Sequence, residues 1–214
     1  MRTLVVVEGF TIEIDPGEVR RFLGSKGRAK PAPGERYDDV VNDEIKAARS
    51  LIAPKGIYTY AVGGDVSPSK IFAHLDRMAV CICTIGPALE AEVTRLAAAG
   101  ELLKAVVLDS IGSVAAEAVA SYIDVKIGTE CAREGLKVSC RASPGYGDWD
   151  VREQKGIFEL LPAERIGVRL SETFMMSPRK SISFAMHVAK EPERLRSEDS
   201  CGNCGRTDCP YRVE

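Results

Sequence analysis

AVCICTI, residues 79–85, carries one hydroxyl and no charge, and Gly86-Pro87 closes it. A run this short and this apolar fits a strand buried on both faces. A central strand needs neighbours. Ile57–Val62 also reads as a strand, and Thr3–Val7 and Thr11–Ile14 read as shorter ones. Downstream, Gly167–Thr173 and Lys180–Val188 alternate apolar and polar side chains across the connection Met175–Arg179. So short a connection predicts that these two segments pair antiparallel.

Helices fill much of the remainder. Pro16-Gly17 opens a short helix over Glu18–Leu23, with proline at its first position. Asp38–Ile52 spaces Val41, Ile45, Ala48 and Ile52 three or four residues apart, an amphipathic helix ended by Pro54. After Gly86-Pro87 one helix runs to Gly100 and another from Glu101 to about Arg133, with Gly112 or Gly128 as places where it could bend or break. Val151–Leu161 is helical and closed by Pro162. The expected fold is α+β: a mainly antiparallel, twisted sheet covered by long helices, with a cysteine-rich C-terminal tail. Three regions follow. Residues 1–36 hold strands, a short helix and the linker-like Gly24–Arg36, packed on the main body; 37–190 form the α+β core; 191–214 are a charged connector and the tail.

A chain of 214 residues can bury a sizeable core. Its 28% charged and 45% hydrophobic residues are ordinary for a globular protein. A net charge of −2 gives no general reason to bind nucleic acid or an acidic membrane. Lys26, Arg28 and Lys30 cluster, but Glu35, Asp38 and Asp39 follow, as in a solvated loop. The first apolar run ends at Glu8, too short for a signal peptide, and no stretch approaches the ~20 apolar residues of a membrane span. Seven cysteines without an export signal predict a reducing cytoplasm, with thiols free or metal-bound.

The stretch richest in chemistry is RASPGYGDWD, Arg141–Asp150, which follows the strand-like Leu136–Cys140. An arginine leaving a strand presents a rigid fork of donors suited to a carboxylate or phosphate. Pro144 fixes φ, and Gly145 and Gly147 let a ligand approach backbone amides closely. Tyr146 adds an aromatic face with a polar tip. The alternative is a tight turn with an exposed ion pair. Glu117 stands among small apolar residues in Ser113–Tyr122, so its carboxylate is expected to be partly buried and to need a partner, either a cationic ligand or a basic side chain of the protein. Asp109, in a similar apolar setting, is expected to make a structural hydrogen bond.

Three motifs in one order carry a resemblance. Arg141-Ala142-Ser143-Pro144-Gly145-Tyr146 resembles the Arg-Pro-Ala-Pro-Gly-Tyr signature of the activation domain of cobalamin-dependent methionine synthase. Leu170-Ser171-Glu172-Thr173-Phe174-Met175-Met176-Ser177-Pro178 is similar to that domain's Leu-Thr-Glu-Ser-Phe-Ala-Met-x-Pro. The helix segment from Ala116 to Tyr122 matches its Ala-Glu-Ala-x-Ala-x-Tyr. Residues 80–190 as a whole look like the shorter, stand-alone members, which share the Gly-Asp-Trp continuation.

The resemblance implies an S-adenosylmethionine site formed by Glu117, Arg141, Ser143, Gly145 and Tyr146. It also implies a role in rescuing a corrinoid (cobalamin) whose Co(I) has been oxidised to Co(II), with an electron from flavodoxin or ferredoxin and a methyl group from the sulfonium. No side-chain nucleophile is needed. The sequence has no corrinoid-binding Asp-x-His-x-x-Gly segment, so the corrinoid is expected on a partner: a methionine synthase lacking its own activation domain, or another corrinoid methyltransferase. By ungapped count Met186 stands where the family has a tyrosine against the corrin, and Glu134 is the nearest match to a second acidic residue ahead of the arginine.

The tail reads Cys201-x2-Cys204-x4-Cys209-Pro. Three thiols so close suit an iron–sulfur cluster or a structural zinc site. A fourth ligand would come from Cys81, Cys83, Cys131, Cys140 or outside the protein. Cys81 and Cys83 share one face of a regular strand and are expected to be small core residues. A noncatalytic docking or electron-transfer module built on this metal site is the alternative function.

Overall fold

A computed structural model describes residues 4–26, 35–67, 71–193 and Leu195. In chain order the elements begin with β1 (Val5–Val7), α1 (Pro16–Lys26), α2 (Glu35–Ala48), β2 (Lys55–Ala61) and α3 (Gly63–Val66). Next come β3 (Met78–Thr84), α4 (Ala88–Ala98), α5 (Leu102–Arg133) and β4 (Lys137–Val138). Then follow α6 (Gln154–Leu160), β5 (Arg169–Leu170), β6 (Met176–Ser177) and β7 (Ser181–Ala189). Five strands form one antiparallel sheet in the order β1-β2-β3-β7-β4, and β5 and β6 form a separate two-stranded ribbon.

β3 is buried along its whole length, as its apolar sequence demands. Its odd-numbered residues Ala79, Cys81 and Cys83 face one core, and Met78, Val80 and Ile82 face another. The period-two alternation of a strand therefore divides the protein into three layers. On the first side lie α1, α2, α4 and α5. On the second lie α6, Phe72, Leu75, Trp149 and Leu195.

α5 is an unbroken helix of 32 residues, about 48 Å at the usual rise. Ala115, Ala116, Val119 and Ala120 are small enough to bring it close to the sheet, while Ile111, Ile123 and Ile127 fill the space between. Gly112 does not break it. A Cβ there would lie 2.7 Å from Leu89 Cδ2 and 3.1 Å from Lys180 Cε, so the glycine serves close packing of α5 against α4 and the start of β7. The helix ends where Gly135 takes φ +72°, allowing Leu136 N–H to donate to the Cys131 carbonyl at 3.0 Å.

Two expectations fail. Thr11–Ile14 forms no strand and pairs with no described strand. Residues 167–173 do not pair with 180–188; β5 turns back on β6, with Leu170 opposite Met176, and β7 joins β3 and β4. The reason is burial. Ser181, Ser183, Ala185, Phe184 and Met186 are all buried, so both faces of β7 are covered and it belongs at the centre of a sheet.

Candidate functional site

The site begins at a defect in strand pairing. Val138 lies opposite Val188, yet Ala142 lies opposite Ala185, so four steps on one strand match three on the other. That extra residue is a β-bulge, which bends a strand and redirects a side chain. Ser139 steadies it: its N–H donates to the His187 carbonyl, and its Oγ accepts the His187 N–H, both at 2.9 Å. Arg141 follows directly and turns toward α5.

There its Nη2 donates to Glu117 Oε2 at 3.1 Å, and its Nε lies 3.7 Å from Asp124 Oδ2. The guanidinium also sits 5.5 Å from the centre of the Phe184 ring. Glu117 is more exposed than expected, with 55% of its side chain open to solvent, because the apolar residues around it in sequence point to other faces of the helix. Asp124 was not anticipated. It stands two turns along the same helix face, and burial raises its pKa while the Arg141 charge pulls it down.

The turn itself is self-contained. Gly145 N–H donates to the Trp149 carbonyl at 2.7 Å, Tyr146 N–H to the Ser143 carbonyl at 3.2 Å, and Trp149 N–H to the Tyr146 carbonyl at 3.2 Å. The Gly145 and Tyr146 amides are therefore engaged within the turn. Gly145 is required because its φ is +93°. Trp149 anchors the turn in the second core, edge-on to Phe72 with ring centres 4.9 Å apart. Asp150 caps the helical turn that follows, accepting from Arg152 N–H at 2.8 Å, and the Arg152 hydrogen bonds lower its pKa to about 2.

Between Arg141, this turn and β7 lies a cleft of about 440 Å³. Glu117, Arg141, Ser143, Pro144 and Tyr146 line it, so the sequence-predicted residues converge; Gly145 shapes the turn without lining the cleft. Gln154, Met176, Ser181, Ile182 and Ser183 complete the walls. The strand edge matters here. Ala185 exchanges backbone hydrogen bonds with Ala142, and the His187 carbonyl accepts from Ser139, so residues of that parity direct their N–H and C=O toward β4. Ser181 and Ser183 share the parity, but β4 has already diverged, and their backbone groups face the cleft.

A second cleft of about 430 Å³, lined by Glu13, Asp15, Glu18 and Arg21, shares the Glu117 wall. Asp109 has a structural partner, and a charged one: Lys180 Nζ lies 2.8 Å from its Oδ1 and 2.9 Å from Ser113 Oγ. Glu134 pairs with Arg77 at 2.6 Å and does not line the cleft. Met186 is fully buried beneath the helices, so it offers no surface to a corrin.

Cys81, Cys83 and Cys131 are buried and Cys140 is exposed, all as free thiols. Burial, and then the hydrogen bond with Cys83, push the Cys81 thiol well up. Among the described residues no group of three or more potential ligands could hold a metal ion. Cys201, Cys204 and Cys209 lie outside the described residues. No helix among the described residues is long and apolar enough to cross a membrane.

Fold and cleft together define an α+β domain with an ion-paired cleft at a sheet edge. The chain belongs to the family of the vitamin B12 dependent methionine synthase activation domain, whose model matches residues 65–195. A solved structure, the MetH reactivation domain bound to AdoHcy, shares the fold with a TM-score of 0.65 at 15% identity. The match covers 91% of this chain and 81% of that one.

Proposed function

We propose that the cleft binds S-adenosylmethionine and that the protein supports reductive methylation of a Co(II) corrinoid carried by a partner methyltransferase. The observation that carries this reading is the Arg141–Glu117 pair, 3.1 Å apart at a cleft of about 440 Å³. An amino-acid head brings one carboxylate and one ammonium. Inserted here, its carboxylate takes the Arg141 fork and its ammonium takes Glu117, replacing one ion pair by two charge-assisted contacts. Ser143, Gly145 and Tyr146 shape the wall against which the nucleoside lies. Family membership supports the reading, as does the AdoHcy-bound relative.

The protein's own part is binding and orientation, which bring the sulfonium methyl to the open side of the cleft. One electron from flavodoxin or ferredoxin and the methyl cation together convert Co(II) to methylcobalt, releasing S-adenosylhomocysteine. A methionine synthase without its own activation domain is the first partner to test, with other corrinoid methyltransferases next. Calorimetry should show saturable binding of S-adenosylmethionine. Mixing the protein with a Co(II)-corrinoid partner and reductant should then give a methylcobalt spectrum only when S-adenosylmethionine is added. Absence of saturable binding ends the proposal.

The tail belongs to the proposal as a metal site of Cys201, Cys204 and Cys209, holding an iron–sulfur cluster or zinc. Anaerobically purified protein should carry iron or zinc that is lost in Cys201→Ser/Cys204→Ser. Protein free of both metals as purified would refute this part alone.

A further inference from the structure

Gln154 is a buried amide at the wall of the cleft, 4% exposed, and no motif pointed to it. Its Oε1 accepts from Ser183 Oγ at 2.8 Å, and its Nε2 donates to the Phe174 carbonyl at 3.1 Å. Because a carbonyl only accepts, the second contact fixes which end of the side chain is nitrogen. Phe174 is itself constrained, with φ at 60° and its N–H donating to the Ser171 carbonyl at 3.0 Å. The amide plane is therefore held from two sides. A carboxamide has two N–H donors and two acceptor lone pairs. One of each is taken, and among the described residues nothing takes the others.

The cleft crosses the edge of β7. Glu117 and Arg141 lie on its α5 side, and Gln154 and Ser183 on the side of the second core. An amino-acid head at the first pair leaves the opposite end for a base. A fixed amide with one donor and one acceptor uncommitted has the complement that the N7 and N6 edge of adenine requires, the pairing that glutamine makes with adenine in nucleic acids. Met176 and Tyr146 line the same cleft and offer a sulfur and a ring to the faces of the base.

We propose that Gln154 is the residue that selects adenine, donating from Nε2 to N7 and accepting from the N6 amine at Oε1. This rests on the S-adenosylmethionine reading of the cleft and names what decides its base specificity. Hypoxanthine carries a carbonyl oxygen in place of the N6 amine. The amide cannot rotate to meet it without breaking its contacts with Ser183 and Phe174, so acceptor would face acceptor.

Wild-type protein should bind S-adenosylhomocysteine about tenfold or more tightly than S-inosylhomocysteine, the scale of one paired base edge. Gln154→Met should bring the two affinities together, with melting temperature reporting that the variant is folded. In ¹⁵N-labelled wild type, the Gln154 side-chain amide resonances should shift with the adenosyl ligand, a readout that holds even if the variant does not fold. Equal wild-type affinities, discrimination that survives Gln154→Met, or amide resonances unmoved by the adenosyl ligand would each overturn the assignment and leave the cleft reading standing. Failure of wild type to bind either compound would overturn both.

Discussion

Arg141→Ala is expected to weaken S-adenosylmethionine binding by about 10- to 150-fold, the loss of a charge-assisted contact of ~1.5–3 kcal/mol. Arg141→Lys should recover part of this, since an ammonium keeps the charge but not the planar fork. The fold should survive, because the Glu117 left behind has 55% of its side chain in solvent. Asp124 gives an independent check. Burial already holds its pKa up, and Arg141 supplies the charge that opposes the rise. Removing that charge moves the pKa further upward. A carboxyl whose pKa is raised by folding binds protons better in the folded state. Its stability contribution is most favourable below the ordinary aspartate value and declines as pH rises through the shifted one. Relative to wild type, Arg141→Ala should therefore melt at a temperature depressed more near neutral pH than in acid. Calorimetry at fixed ionic strength reads the affinity, and an unchanged dissociation constant would remove Arg141 from the site.

The parts of this fold legible in the sequence are those whose burial is uniform or cleanly periodic. β3 announces itself because both its faces are covered, leaving only the Thr84 hydroxyl at its end to interrupt the apolar pattern. α5 was legible as a length of small and apolar residues between Gly100 and Gly135, and Gly112 does not break it. A glycine in a helix can signal a bend or a close neighbour, and sequence does not say which. The pairing of β5 with β6 was not legible, because alternation describes a strand's faces and says nothing of its partner. The bulge before Arg141 was hidden for the same reason: it is a mismatch between two strands, and neither contains it alone.

The site divides along similar lines. A local motif brought Arg141, Ser143 and Tyr146 to one place, and a helix motif brought Glu117 opposite them. Asp124 was within reach of sequence reasoning, since it lies seven residues from Glu117 and so on nearly the same helix face. Gln154 was not. Its side chain is fixed by Ser183 and Phe174, 29 and 20 residues away, which only tertiary structure places beside it. Glycine shows that a turn can form, not which amides remain free once it has formed, and the Gly145 N–H is taken by the Trp149 carbonyl.

Trp149→Ala should produce the largest loss of stability, about 3–5 kcal/mol, the cost of removing a large aromatic side chain from a packed core. Trp149 is 1% exposed and joins the RASPGYG turn to the second core through Phe72. For a chain of this size that corresponds to a melting temperature lower by roughly 6–20 °C. Trp149→Phe should cost much less. Its ring keeps part of the edge-on contact, and the indole Nε1 has no hydrogen-bond partner among the described residues, so no bond is lost with it. The pair of variants also separates packing from positioning. Backbone bonds from Gly145 to Trp149 and from Trp149 to Tyr146 close the turn that carries the cleft wall. A void beneath that turn lets it shift, and a ligand held at both ends of the cleft is sensitive to such a shift. Trp149→Ala should thus bind S-adenosylmethionine more weakly even well below its melting temperature, while Trp149→Phe stays near wild type. An alanine variant as stable as wild type would mean that the turn stands without its anchor.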